Sequence, residues 1–208
     1  MSNTIIFIHG LFMNGVDMSL LRYRFKKSGY DTYQFSYKST KYTPFENAQK
    51  LSEFINFIKC KKINFVCHSL GGIVLRHYIS LYSTQKLNNI VMLGTPNQTS
   101  IVAKTITKWM LGRKLLGMSV ENGLTGVLPP WNGKKKLGII AGYFPVGSEL
   151  VTPIIKNPND GTVSIEETRL DGSKDHITLN CSHLGLLFSK KVFLQTKHFL
   201  EHSCFMHN

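Results

Sequence analysis

Ile63-Asn-Phe-Val-Cys-His-Ser-Leu-Gly-Gly-Ile-Val74 is the stretch whose reading decides the fold. An apolar run of β-type residues, Ile63 to Cys67, stops at His68-Ser69. Two glycines follow, and Ile73, Val74, His77, Tyr78 and Leu81 then recur at helical spacing. The pattern is strand, sharp turn, helix, with a serine at the apex. Inside a strand or helix a serine is flanked by its neighbours, whereas a tight strand-to-helix turn presents its Oγ outward. Cys67 and Gly71 are small enough for such a turn, and His68 and Gly72 complete it. The helix beginning there points the partial positive charge of its N-terminus at the serine.

On either side of this stretch, strands and helices alternate. Thr4 to Ile8 reads as a strand ending at His9-Gly10. Asp17 is placed to cap a helix to about Lys27, and Gly29 breaks it. Asp31 to Tyr37 alternates as a strand does. Thr43-Pro44 opens a helix to about Lys59, with Thr43 as N-cap, Pro44 first in the helix, and Ala48, Leu51, Phe54, Ile55 and Ile58 on one stripe. The helix after Ser69 runs to about Tyr82. Strands follow at Asn89 to Leu93, Leu137 to Gly142 and, briefly, His176 to Asn180, and a helix closes the chain from Lys190 to about Leu200. This rhythm implies βαβ units: an α/β fold with a mostly parallel sheet of about six strands and helices on both faces. Without repeats, low-complexity tracts or linkers, residues 1–208 read as one domain.

Composition bounds the function. With 42% hydrophobic and 18% charged residues, the 208-residue chain is globular and long enough for a sizeable core. No apolar run approaches the roughly 18–20 residues that span a bilayer, and the start, Met-Ser-Asn-Thr, lacks the basic region of a signal peptide. Cys60, Cys67, Cys181 and Cys204 are widely spaced, which suits reduced thiols and a cytoplasmic location. The net charge of +13 is dispersed, with short clusters at Lys61-Lys62, Lys134-Lys135-Lys136 and Lys190-Lys191. Such a charge suits peripheral contact with an anionic inner membrane surface, or is simply a solvated lysine-rich surface. No nucleic-acid-binding pattern accompanies it, so nucleic acid is not an expected partner.

A serine hydroxyl is a weak nucleophile. It needs a neutral histidine as base, a carboxylate to orient that histidine, and amide donors for the oxyanion. Asp160, in Asn157-Pro158-Asn159-Asp160-Gly161-Thr162-Val163 after the apolar stretch Leu150 to Ile155, is the strongest candidate for the acid. It is equally the kind of aspartate that turns carry before glycine. Asp171 and Asp175 are rivals, although Asp171-Gly172 reads more simply as a hairpin turn between Arg169-Leu170 and the strand at His176. Among eight histidines, His183 lies just past the last short strand, at its carboxyl end. His176 is at the wrong end of that strand. His198 and His202, four apart on the closing helix, read as surface residues, His207 as part of a frayed tail, and His77 as a packed or solvated helix residue. His9 closes the first strand and is expected to brace the loop His9-Gly10-Leu11-Phe12. That loop and Leu70, the residue after the serine, are placed to offer the two amides. No compact cluster of His, Cys and Asp suggests a metal, and no cofactor is expected.

His9-Gly10-Leu11, Cys-His-Ser69-Leu-Gly-Gly, Leu93-Gly94-Thr95-Pro96-Asn97, Asn159-Asp160-Gly161-x-Val163 and Ser182-His183 follow one another in an order that resembles the α/β-hydrolase superfamily, within it the small lipase/esterase branch. The resemblance covers nearly the whole chain. It implies a compact α/β-hydrolase fold lacking the family's first two antiparallel strands, with Ser69 as nucleophile, Asp160 as orienting acid, His183 as base, and the Leu11 and Leu70 amides as oxyanion hole. Two positions depart from the family pattern: Cys67 replaces the first elbow glycine, as a plausible small residue or an oxidation-sensitive neighbour, and Thr99 stands where a glycine is common.

The resemblance implies a carboxylic ester hydrolase acting through an acyl-enzyme on a small-molecule or lipid ester. The same triad would equally serve a thioesterase, amidase or acyltransferase, and a third reading keeps the fold as a non-catalytic membrane-surface binding protein. Residues 98–136 fit the rhythm least. Ile101 to Leu111 has helical spacing, and Leu115 to Trp131 mixes glycines, Pro129-Pro130 and apolar residues. A lid or acyl-pocket wall and an ordinary helical excursion are equally compatible with that segment.

Overall fold

The computed structural model describes residues 3–131, 135–146, 155 and 158–207. Six strands, β1 (Thr4–Ile8), β2 (Asp31–Phe35), β3 (Ile63–His68), β4 (Leu87–Leu93), β5 (Leu137–Gly142) and β6 (Asp175–Leu179), form one sheet in the order β2-β1-β3-β4-β5-β6. Every pairing is parallel. The helices are α1 (Ser19–Lys27), α2 (Pro44–Phe57), α3 (Leu70–Leu81), α4 (Ile101–Ile106), α5 (Met110–Leu116), α6 (Ile165–Thr168), α7 (Gly185–Phe188) and α8 (Lys190–His202).

Alternation along each strand sends side chains to opposite faces, and the core is divided accordingly. Ile6, Ile8, Phe65 and Ile139 pack with α2 and α3 on one face. Ile5, Phe7, Val66 and Ile140 pack with α1, α7 and α8 on the other. Strands buried on both faces read as largely apolar runs, as β1, β3 and β5 do, and their crossovers put helices on both sides. Only the edge strand β2 alternates exposed with less exposed residues, which is why Asp31 and Tyr33 are tolerated there.

Several local expectations give way. Asp17 does not cap α1. It sits within a single 3-10 turn (Val16–Met18), and Asn14 Oδ1 accepts from the Val16 amide at 3.0 Å. The continuous helix expected over Ile101 to Leu111 is two, α4 and α5. The Thr107 hydroxyl donates to the Ala103 carbonyl at the end of α4, and Gly112 lets α5 fold back against the Ile106 carbonyl, where a Cβ would clash. Asp171-Gly172 is not a hairpin turn: it links α6 to β6, whose strand partner is the parallel β5. The tail is not frayed. Phe205 is buried, its amide donates to Asp175 Oδ2 at 2.8 Å, and Gln195 pairs with both the amide and the carbonyl of Met206. Asp175 is thereby spent on the tail. Of the apolar stretch Leu150 to Ile155, only Ile155 lies within the described residues, as do all of residues 98–136 except 132–134.

The expected start of α2 is present in full. Thr43 Oγ1 accepts from the Glu46 amide at 3.1 Å, and Glu46 Oε2 accepts from the Thr43 amide at 2.7 Å. Two amides that the first helical turn leaves without helical partners are thus satisfied reciprocally. Thr43→Ala is expected to lower unfolding free energy by about 1 kcal/mol in urea titrations, with no change in the native circular dichroism spectrum.

Candidate active site

In a parallel sheet all strands end at one edge, and residues distant in sequence meet there. β1 and β3 are neighbours in register, Ile8 opposite Cys67, so the residues leaving them stay side by side. A Cβ on Gly10 would lie 3.1 Å from Ser69 Cβ. Ser69 has φ 50° and ψ −123°, a left-handed conformation that L-residues rarely adopt and that marks a strained functional turn. What imposes it is the close seat of α3. A Cβ at Gly71 would drive into the carbonyl oxygens of Ile8 and His9, so α3 can start here only with glycine at that position. Gly72 gives the same clearance against Thr95.

Ser69 is fastened to the loop after β4. Its amide donates to the Leu93 carbonyl at 2.9 Å, and Thr95 Oγ1 donates to the Ser69 carbonyl at 2.9 Å. Between those contacts lies Gly94, at φ 56°. A Cβ there would sit 3.0 Å from Asp160 Oδ2 and 3.1 Å from His183 Nδ1. Gly94 is the hub around which Ser69, Asp160 and His183 are assembled.

His183 Nδ1 and Asp160 Oδ2 are 2.7 Å apart, both residues buried. The other oxygen of Asp160 accepts from the amides of Thr162 and Val163, at 3.0 and 2.8 Å. The His183 amide in turn donates to the Asp160 carbonyl at 2.8 Å. Asp160 is therefore a fixed acceptor that can orient an imidazole, holding the proton on Nδ1 and leaving the Nε2 lone pair available. Among the described residues no hydrogen bond joins Ser69 Oγ to His183. Such contacts are often long in resting sites and tighten only when substrate arrives.

Of the consecutive amides of Gly10, Leu11 and Phe12, the first donates to Met13 Sδ and the third to Ser39 Oγ. The Leu11 amide, and that of Leu70 at the first position of α3, have no partner among the described residues. His9 braces this loop from below: its Nε2 accepts from the Tyr37 amide at 3.1 Å, its ring stacks on Tyr37 at 4.3 Å, and the Tyr37 hydroxyl donates to the His9 carbonyl. Cys67 is fully buried, and burial pushes its thiol up. Burial thus disfavours the thiolate on which oxidation depends.

Two contributions escaped sequence reasoning. His68 is more than a small-turn companion: its Nε2–H donates to the His183 carbonyl at 3.0 Å, and the two rings lie 4.7 Å apart. Arg76 is the second. From within α3 it donates to the Asn97 carbonyl at 2.6 Å and, through Nε and Nη2, to the Pro129 carbonyl. One carbonyl stands just before the 98–136 excursion and the other late within it. His77 Nε2 meets the Asn122 carbonyl at 2.6 Å, and the Met118 amide donates to Thr40. The excursion is thus tied down at its base and middle. Burial lowers the Arg76 guanidinium to about 10, which leaves it charged at neutral pH. A lone arginine in the apolar helix Leu70–Leu81 is the sequence signal that could have flagged it.

The family model described as "Putative serine esterase (DUF676)" matches residues 2–105, half of the chain and all of the segment that carries β1, Ser69 and Gly94. The chain belongs to that family. Membership places it among the serine hydrolases of esterase type. Solved structures share the fold. The mature lipase BlEst2 of Bacillus licheniformis is 21% identical with a TM-score of 0.71, over 97% of this chain and 92% of that one. The metagenomic carboxyl esterase MGS0156 is 16% identical with a TM-score of 0.67, over 88% of this chain and 65% of that one. The phospholipase PlaB of Legionella pneumophila is 19% identical with a TM-score of 0.61, over 80% of this chain and 45% of that one. No curated protein matches the sequence. None of the described helices is long and apolar enough to cross a membrane.

Burial holds His9, His68, His77 and His176 below the ordinary imidazole value of 6.5, so all four are neutral in the native protein at neutral pH. Unfolding returns them to water, where they take up protons as pH falls. Their contribution to stability is complete above about pH 6.5 and is lost as pH drops through the lowered values, by up to about 1.4 kcal/mol per pH unit for each group. The urea midpoint is expected to fall from pH 7.5 to pH 5.5; a midpoint that rises or stays level over that interval contradicts this account.

Proposed function

We propose that the protein hydrolyses carboxylic esters through an acyl-enzyme on Ser69, with His183 as general base and Asp160 as the acid that orients it. The observation that carries this reading is the buried 2.7 Å contact between Asp160 and His183, packed on the same glycine that Ser69 grips from both sides. Ser69 Oγ attacks the ester carbonyl as its proton passes to His183 Nε2. Asp160 stabilises the resulting imidazolium without taking the proton itself. The Leu11 and Leu70 amides receive the oxyanion, reinforced by the N-terminus of α3. Collapse expels the alcohol, which leaves with the proton from His183. A water molecule, deprotonated by the same nitrogen, then releases the acid and restores the serine. His68 acts as a positioning residue: neutral and buried, it fixes the height of the His183 backbone without competing for the proton.

Phe12, Phe144 and Leu184 are exposed on loops that follow β1, β5 and β6, on the same edge as Ser69. Their position supports an acyl chain as the group recognised, whether from a small-molecule ester or a lipid, and the basic surface suits anionic carriers of it. Catalysis in this scheme draws only on side chains and amides of the chain.

Folded wild-type protein is expected to turn over p-nitrophenyl acyl esters and to be labelled by a fluorophosphonate. Ser69→Ala abolishes labelling, and Asp160→Asn lowers kcat by roughly three to four orders of magnitude with KM little changed. Turnover that persists in folded Ser69→Ala would remove Ser69 from the role.

A further inference from the structure

The opposite edge of the sheet, where the strands begin, carries a second concave site. A cavity of about 780 Å³ opens between the starts of β1, β3, β4 and β5 and the end of α8. Four lysines line it: Lys61 and Lys62 before β3, and Lys135 and Lys136 before β5. These pairs stand more than seventy positions apart in sequence. They converge because β4 alone separates β3 from β5 and all three strands enter from the same side.

The backbone fixes two of these cations. Lys62 Nζ donates to the Gln85 carbonyl at 2.8 Å and Lys135 Nζ to the Leu87 carbonyl at 3.0 Å, two acceptors on the segment entering β4. The neutral Leu87 carbonyl orients the Lys135 ammonium without cancelling its charge. Partial burial and the charge of Lys62 both lower the Lys135 ammonium, which places the two groups within each other's field. Among the described residues Lys61, Lys135 and Lys136 make no ion pair. The one acid on the rim, Glu201, is already held by Lys197 at 2.6 and 2.9 Å and by the Tyr30 hydroxyl at 3.0 Å. Asn88 and Asn89 add polar walls.

We propose that this cavity binds a small polyvalent phosphate, a soluble compound bearing a pyrophosphate or two neighbouring phosphate groups. Like charges gathered in a concave site focus the field on an anion of matching valence. Ammonium-to-phosphate hydrogen bonds are charge-assisted and strong. The concavity favours a molecule that enters over a bilayer, which meets protruding side chains. The site lies across the sheet from Ser69, so its occupancy is read independently of ester hydrolysis.

Inorganic pyrophosphate is the probe, titrated calorimetrically into the full-length protein at low salt. One-site binding is expected, weakened about tenfold or more in the triple variant Lys61→Gln, Lys135→Gln, Lys136→Gln, and less than about twofold in a control triple at Lys104, Lys108 and Lys114. Should the triple variant fail to fold, exposed Lys136→Gln alone is expected to weaken binding by a measurable factor. Absence of saturable binding, equal binding by the variant, or equal loss in the control overturns the proposal. In a parallel arm, phosphatidylglycerol vesicles are sedimented with wild type and triple variant. Vesicle capture that needs these lysines, with no pyrophosphate binding, assigns the site to lipid headgroups and overturns the soluble ligand.

Discussion

The approach of α3 to the end of β1 is the constraint on which the site rests. Gly71 packs so closely on the Ile8 and His9 carbonyls that the chain has no room for a gradual passage from strand to helix. The turn is made in a single residue, and Ser69 takes the cost as a φ of 50°. Everything near the site refers back to that point. The β1 loop lies against Ser69 through Gly10, the β4 loop grips it through Leu93 and Thr95, and the helix dipole is aimed at it. A gentler turn would bury the hydroxyl among neighbours and move the Leu70 amide away from the charge that the proposed reaction develops.

Around this strained residue is a shell of buried groups kept neutral or fully satisfied. His9 and Tyr37 support the β1 loop, His68 supports His183, and Asp160 has both oxygens engaged. In a low-dielectric interior a second charged imidazole beside His183 would oppose the cationic form that the proposed reaction needs. Desolvation keeps His68 uncharged and removes that conflict. The shell thus links burial, which stabilises the fold, to the electrostatics that the proposed chemistry demands.

Much of the fold was legible because parallel sheets write themselves plainly. β1, β3 and β5 are buried on both faces and so appear as largely apolar runs, broken in β3 by Asn64, and α2 announces its start with Thr43-Pro44. What was misread is local geometry settled by partners distant in sequence. Asn14 displaced Asp17 because Gly15 turns the chain earlier. Residues 101–111 broke into two helices because Gly112 can pack on Ile106. The tail stayed ordered because Asp175 and Gln195 wait for it. Asp175 had looked available as a rival acid, since nothing in its own neighbourhood shows that its carboxylate is already taken.

By itself, the sequence determined the residue types and their order: a serine on a glycine-rich turn, an aspartate before a glycine, a histidine past the last strand, all at strand ends. That order is enough to say that these groups share one edge, because parallel strands must end together. Only the tertiary structure decided that Asp160 and His183 touch, that Gly94 is their common floor, that His68 holds the histidine's backbone and that Arg76 ties Asn97 to Pro129 across most of the 98–136 excursion. It also decided that two unremarkable lysine pairs share a cavity. The reason is the same in each case. Contacts between chain segments depend on strand order and on which side chain fills which space, and neither is written in the spacing of any single segment.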